Sequence, residues 1–423
     1  MSEEQQKIKV LVISDHPFAP SGVGTQTKYM IESLLSTGRY KFICLGGAMK
    51  HQDYRPQKSP EYGDDLIVIP VDGYGNQEQI RSALWSEKPD ILWFMTDPRF
   101  YGFLWDMENE IRTLVPMVYY HVWDNYPYPK FNKVFYESTD VIATISKVTD
   151  DIVSTVSPDT ERHYMPHAVP PNIFRQLTED KILDLRKKQL GEENIDRFVC
   201  FWNNRNARRK MSGSVLIWFY EWAKTVGTDK VQLIMHTDPK DPHGQDLEQI
   251  ISEIGAIDGS VLISRNKIDP GQLSAMYNIS DCTINIADAE GFGLSTLESL
   301  ACGTPVIVNM TGGLQEQVTD GKEWFGVGIE PASKAIIGSQ HVPYIYEDRV
   351  CKEDFINALD KMYNMDKKSR RDMGTAGRKH VEKNYNFEKL QESWIELMDN
   401  VYQKCGSWND RKGYKNWELK EIT

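Results

Sequence analysis

The sequence predicts an α/β protein of two doubly wound domains, each a parallel sheet with helices on both faces, set against each other across a central cleft. Three observations carry that prediction. Short β-branched apolar runs alternate with helical stretches along most of the 423 residues. The alternation breaks once, at Pro166-His167-Ala168-Val169-Pro170-Pro171, and then restarts. The chain is long enough for two domains, and its 40% hydrophobic and 26% charged content is ordinary for a globular protein.

The elements follow in order. Residues 8–13 form a continuous apolar run, a strand buried on both faces. Helical spacing follows at 25–35. Short strands are expected at 42–45, 66–71, 91–94, 117–121 and 141–145, with helices at 77–87 and 147–156. A charged helix, 179–190, follows the proline break, and the linker is placed at roughly 168–195. Strands are then expected at 199–202, 231–235, 261–264, 283–286 and 306–309. Helices are expected between them at 214–226, 245–254, 271–279 and 295–302. Residues 354–404 read as helical and amphipathic. The expected division is 1–175, 190–385, and a helical tail, 386–423, crossing back onto the first domain.

Composition narrows the function. No apolar run approaches the ~20 residues of a membrane span, and residues 1–9 lack a secretory apolar stretch, so a cytoplasmic location is expected. The six cysteines show no metal-like spacing and sit mostly in apolar runs, which reads as reduced core thiols. The nine histidines form no HExxH pattern; no metal and no cofactor are expected. A net charge of -12 gives no bulk attraction to nucleic acid or anionic lipid. The one dense basic segment is Asn203-Asn204-Arg205-Asn206-Ala207-Arg208-Arg209-Lys210. Rings gather near 119–128, where they serve as core or as stacking surfaces.

The segment 288–305, Asp-Ala-Glu-Gly-Phe-Gly-Leu-Ser-Thr-Leu-Glu-Ser-Leu-Ala-Cys-Gly-Thr-Pro, follows a strand and opens a helix. Gly291 and Gly293 leave the backbone bare for a close approach. The N–H groups of Gly293, Leu294 and Ser295 are placed to meet an anion at the helix start. Glu298 stands near that start, where it can accept from ribose hydroxyls; Glu290 precedes the turn with a different reach. The Gly291-Phe292-Gly293 triplet alone is equally a tight strand-to-helix turn.

The whole stretch resembles the signature of the retaining glycosyltransferases of family 4, the glycosyl transferases group 1: two glutamates, here Glu290 and Glu298, around Gly-Phe-Gly-Leu, then Ala-Cys-Gly-Thr-Pro-Val. The resemblance implies the GT-B architecture, two Rossmann-like domains, with a nucleotide-sugar donor (UDP-, GDP- or ADP-linked) on the second. Pro20-Ser21-Gly22-Val23-Gly24 resembles the family's first glycine-rich loop, implying that Gly22 and Gly24 approach the donor diphosphate. Arg205 and Lys210 resemble the pair that neutralises the two phosphates, although Arg208 and Arg209 crowd the same loop. His121 resembles the histidine beside the transferred sugar, and Lys267 lies where relatives hold the base. His236-Thr237-Asp238 replaces a glycine-rich turn of many relatives, which leaves base and sugar open.

The implied reaction is sugar transfer to a hydroxyl with retention and without a metal. His121, Glu290, Arg205 and Lys210 form the implied catalytic set; Gly291, Phe292, Gly293, Leu294, Ser295 and Glu298 complete the donor site. The leaving diphosphate would itself help take the acceptor's proton. A glycan, a lipid-linked sugar or another hydroxyl compound is the expected acceptor. The acidic first domain argues against nucleic acid, while the ring-rich 122–129 keeps a modified base open. Two other classes remain, a sugar-nucleotide epimerase or hydrolase of the same fold and a non-catalytic nucleotide-sugar-binding module. Peripheral membrane contact and oligomeric state are left open.

Overall fold

The computed structural model describes residues 7–417. The first sheet contains β1 (Ile8–Asp15), β2 (Tyr40–Gly47), β3 (Gln57–Ser59), β4 (Gly63–Pro70), β5 (Ile91–Met95), β6 (Met117–His121), β7 (Val141–Thr144) and β8 (Glu161–Tyr164). Their order is β3-β4-β2-β1-β5-β6-β7-β8, parallel except for β3 against β4. Val10, Leu11, Val12 and Ile13 are all essentially unexposed, because helices cover both faces.

The second sheet contains β9 (Phe198–Asn203), β10 (Val231–His236), β11 (Val261–Ser264), β12 (Cys282–Asn285), β13 (Val306–Asn309) and β14 (Gly326–Ile329). It is wholly parallel, in the order β11-β10-β9-β12-β13-β14. The chain order reverses between β9 and β12, and loops beyond their carboxyl ends are where such sheets bind ligands. The helix Glu179–Leu190 packs against the helix Pro270–Ile279, and Arg186 bonds Ile279 O, at 2.8 Å, and Asp281, at 2.6 Å. That attaches the segment after the proline break to the second sheet.

Two differences from the sequence reading matter for the site. The first helix is Gly22–Leu35, three residues earlier than its apolar spacing indicates. Ser21 caps it, accepting from the Gly24 N–H, so Gly22 and Gly24 lie in its first turn and not in an open loop. An antiparallel hairpin, β15 (Ser333–Ile337) and β16 (Ile345–Arg349), was absent from the expected elements; its charged side chains hide the strand pattern.

The tail forms three helices, Lys352–Asn364, Lys367–Asn384 and Phe387–Cys405. The last returns to the first domain, as expected. Trp394, 1% exposed, stands edge-on to Trp93 and Tyr120, with centroids 5.9 and 4.9 Å away. Arg39 grips Asp399 with two 2.8 Å bonds. All six cysteines are free thiols, four of them buried. Among the described residues no helix is long and apolar enough to cross a membrane.

Candidate active site

Two helix starts from different domains meet. The helix Leu294–Ala301 begins after Gly293, whose φ of +91° suits glycine. Leu294 faces Gly22, the first residue of the helix Gly22–Leu35: a Cβ on Gly22 would lie 2.9 Å from Leu294 Cδ1. Each start carries unpaired N–H groups and a partial positive charge, so the junction between them suits an anion.

Lys210 enters the same space from the loop after β9. Its Nζ contacts the Glu290 carboxylate, and both side chains are about nine-tenths buried. Burial, then Arg209, pulls the Lys210 ammonium well below its ordinary value, and Asp124 opposes that pull. Arg209 Nη1 lies 4.0 Å from Glu290 and donates to Ala289 O at 2.5 Å. The Asp288 N–H donates to Arg209 O at 2.8 Å, latching the basic loop to the segment 288–290. Gly312 passes so close to Glu290 O that a Cβ would sit 1.9 Å from it, and Gly313 N–H donates to that oxygen at 3.0 Å.

From the first domain, Asp124 approaches Gly291, where a Cβ would lie 3.8 Å from its Oδ2. Burial pushes the Asp124 carboxyl up to about 6, Arg209 and Lys210 draw it down, and Asp97 adds to the rise. Glu298 is half-buried and accepts from Tyr277 OH at 2.7 Å, while Asn203 Nδ2 donates to the same hydroxyl at 2.8 Å. Burial raises Glu298 to about 7 against that hydrogen bond. Ser295 is buried in the first turn of the helix Leu294–Ala301, Gly291 is half-buried, and Lys267 is exposed on the loop after β11.

Three expected site residues are placed elsewhere. Arg205 turns outward and holds Asp241 bidentately, at 2.6 and 3.1 Å, while Arg209 takes the place beside Lys210 and Glu290. The single turn Arg208–Lys210, ended by Met211 at φ +58°, sets that direction. His121 is wholly buried: its Nε2 meets Tyr136 OH at 2.8 Å, and burial lowers it to about 3. It presents no surface to the cleft. Phe292 is 3% exposed and packs edge-on between His167 and Tyr385, so it anchors the turn from behind.

The unforeseen hairpin ties the site together. Glu347 on β16, 2% exposed at its side chain, accepts from Arg208 Nη1 at 3.0 Å and from Arg349 Nη2 at 2.5 Å. That holds Arg208 away from the Lys210–Glu290 pair. Tyr346 N–H donates to Tyr126 O at 2.5 Å, Asn125 Nδ2 donates to Tyr346 O at 3.2 Å, and Phe131 meets Tyr344 edge-on. The hairpin therefore spans from the basic loop to the ring-rich loop of the first domain.

Comparison with known proteins accords with this geometry. Residues 242–380 match the family described as glycosyl transferases group 1. The sucrose-phosphate synthase of Thermosynechococcus elongatus superposes over 94% of this chain and 100% of its own, with a TM-score of 0.75 and 17% identity. Anabaena HepE, solved in complex with UDP-glucose, superposes over 93% and 100%, with a TM-score of 0.67 and 13% identity. The chain has the GT-B fold, and its residues 242–380 are similar to the glycosyl transferases group 1 family. Among curated relatives, the chain is 29% identical over 136 residues to the D-inositol 3-phosphate glycosyltransferase of Paenarthrobacter aurescens, covering 32% of this chain and 28% of that protein. It is 27% identical over 188 residues to the alpha-monoglucosyldiacylglycerol synthase of Streptococcus pneumoniae, covering 44% and 41%. The matched segments thus span less than half the length of these relatives.

Proposed function

We propose that the chain transfers a sugar from a nucleotide-sugar donor to an acceptor hydroxyl, with retention of anomeric configuration and without a divalent metal. One observation carries the reading: two helix starts from opposite domains converge beside Lys210, Arg209 and Glu290. A diphosphate placed there meets backbone donors and fixed cations together. Its charge grows as the glycosidic bond breaks, so these groups stabilise the transition state more than the ground state.

In the proposed reaction the sugar–oxygen bond to the diphosphate breaks, and a diphosphate oxygen takes the acceptor's proton. The acceptor oxygen then bonds the anomeric carbon on the face the diphosphate leaves. Glu290 holds the transferred sugar through its hydroxyls, and Glu298, steadied by Tyr277, accepts from the ribose. Neighbouring folds solved with UDP-glucose and with UDP-2-fluoro glucose favour UDP among the candidate carriers.

The test is a thermal-shift panel of UDP, GDP, ADP and their sugars, followed by label transfer with and without EDTA. A bound ligand raises stability by RT ln(1 + [L]/Kd). One nucleotide series should raise Tm, and transfer should persist in EDTA with the product anomer matching the donor. No shift with any nucleotide, or transfer abolished by EDTA and restored by a metal, would overturn the corresponding part of the reading.

A further inference from the structure

The ring-rich loop 122–129 is the expected acceptor surface, but its groups are largely engaged. Tyr126 and Tyr128 both donate to Asp151 at 3.0 Å, and Asn125 and the Tyr126 carbonyl carry the hairpin. A different set of rings stands open at the carboxyl ends of β1, β2 and β5. Phe18, Tyr54 and Phe100 are 53%, 50% and 49% exposed. His16 lies 5.8 Å from both Phe18 and His51, and His51 lies 5.6 Å from Tyr54. Tyr74 joins Phe100 to this chain: their centroids are 5.6 Å apart, and its hydroxyl donates to Asp15 at 2.8 Å.

This shelf is continuous with the donor junction. Asp15 also accepts from Ser21, the cap of the helix Gly22–Leu35 whose start meets Leu294. Exposed rings at such a place mark a binding surface. We infer that this shelf holds the acceptor, and that the acceptor there is a neutral saccharide. The inference rests on the glycosyl-transfer reading above.

The chemistry selects that class. Ring faces cover the C–H faces of a sugar, and the polar groups between them meet its hydroxyls. Phe18 N–H donates to His16 Nδ1 at 3.1 Å, so the neutral ring keeps its proton on Nε2 as a donor. The Asp15 carboxylate is buried and accepts from Tyr74 and Ser21, so it fixes the base of the shelf. An anionic acceptor or a lipid headgroup needs free cations. Here Lys28 is paired with Glu32, Arg55 with Asp53, and Arg99 with Asp97, so among the described residues Lys50 beside His51 is left as a single free cation and no cluster forms. An acyl chain needs a continuous aliphatic surface, whereas these rings are interleaved with imidazole and carboxylate.

The test titrates the full chain, holding UDP, with maltotriose, cellotriose and mannotriose, followed by saturation-transfer NMR. Glucose 6-phosphate and phosphatidylglycerol vesicles form the other arms. At least one neutral trisaccharide should bind, about tenfold more weakly to the double variant Phe18→Ala/Tyr54→Ala, with UDP affinity unchanged. The proposal falls if no neutral trisaccharide binds, if only the phosphosugar or the vesicles bind, or if the double variant binds the trisaccharide as tightly. UDP failing to bind the unaltered chain would sink the donor reading alone, since the trisaccharide titration still decides the shelf.

Discussion

Replacing Tyr277 by Phe removes one oxygen and tests how Glu298 meets the donor. Tyr277 is fully buried, and its hydroxyl stands between Asn203 and Glu298 at 2.8 and 2.7 Å. Burial holds Glu298 at about 7, and the tyrosine's hydrogen bond keeps it from going higher. If that bond favours the ionised form by ~1.4 kcal/mol, its loss moves Glu298 to roughly 8. At pH 7 the ionised fraction then falls from about a half to about a tenth, and affinity through the ribose falls about fivefold. At pH 9 both proteins are mostly ionised and the gap should close. Isothermal titration with the nucleotide that the thermal-shift panel selects, at pH 7 and pH 9, reads this directly. Equal weakening at both pH values would show that Tyr277 acts by packing alone. No weakening at either would show that Glu298 does not meet the nucleotide. The variant should also lose about 1–3 kcal/mol of stability, because Asn203 is left without its partner.

Lys210→Ala leaves the Glu290 carboxylate buried and unpaired, so it should cost about 3–5 kcal/mol on chemical denaturation and abolish donor binding. Lys210→Met with Glu290→Gln should recover most of the stability and none of the binding. Arg209→Ala should weaken the nucleotide at least tenfold and Arg205→Ala less than threefold, by titration, since only Arg209 stands beside Glu290. Asp124 carries a carboxyl raised to about 6 close to where the diphosphate would sit. An anion there raises it further, so binding takes up a proton and donor affinity should fall as pH rises through about 6; Asp124→Asn should flatten that slope. Trp394→Ala should cost about 3–5 kcal/mol, seen as a lower denaturation midpoint, because it empties the space between Trp93 and Tyr120.

The fold was legible wherever burial on both faces makes a strand read as an unbroken apolar run. β6 and β13 coincide with the expected bounds for that reason, every residue in both being buried. β8, Glu-Arg-His-Tyr at the sheet edge, carries no such signal. The hairpin strands escape for a functional reason. Glu347 occupies a strand position and accepts from both Arg208 and Arg349, which ties the basic loop to the hairpin. In the site, Glu290 and Glu298 were legible from the string they share, and Lys210 from the basic segment after β9. Side-chain direction was not. Nothing in Arg-Asn-Ala-Arg-Arg-Lys says which arginine turns inward, because Met211 in the left-handed region and Asp241 from another loop decide it. Likewise, both faces of β6 are buried, so ending a strand did not bring His121 to the cleft.

The convergence of the two helix starts also bears on how the domains close. Each start carries roughly half a positive charge, so facing ends of like sign repel while the space between them is uncharged. An anion between them turns that repulsion into two attractions. On the proposed reading, a donor diphosphate would therefore draw the two domains together. The glycines follow from the same geometry. A side chain on Gly22 would meet Leu294 on the opposite domain, and one on Gly312 would strike the Glu290 carbonyl. The chain keeps its backbone bare where two surfaces and a ligand must share one volume.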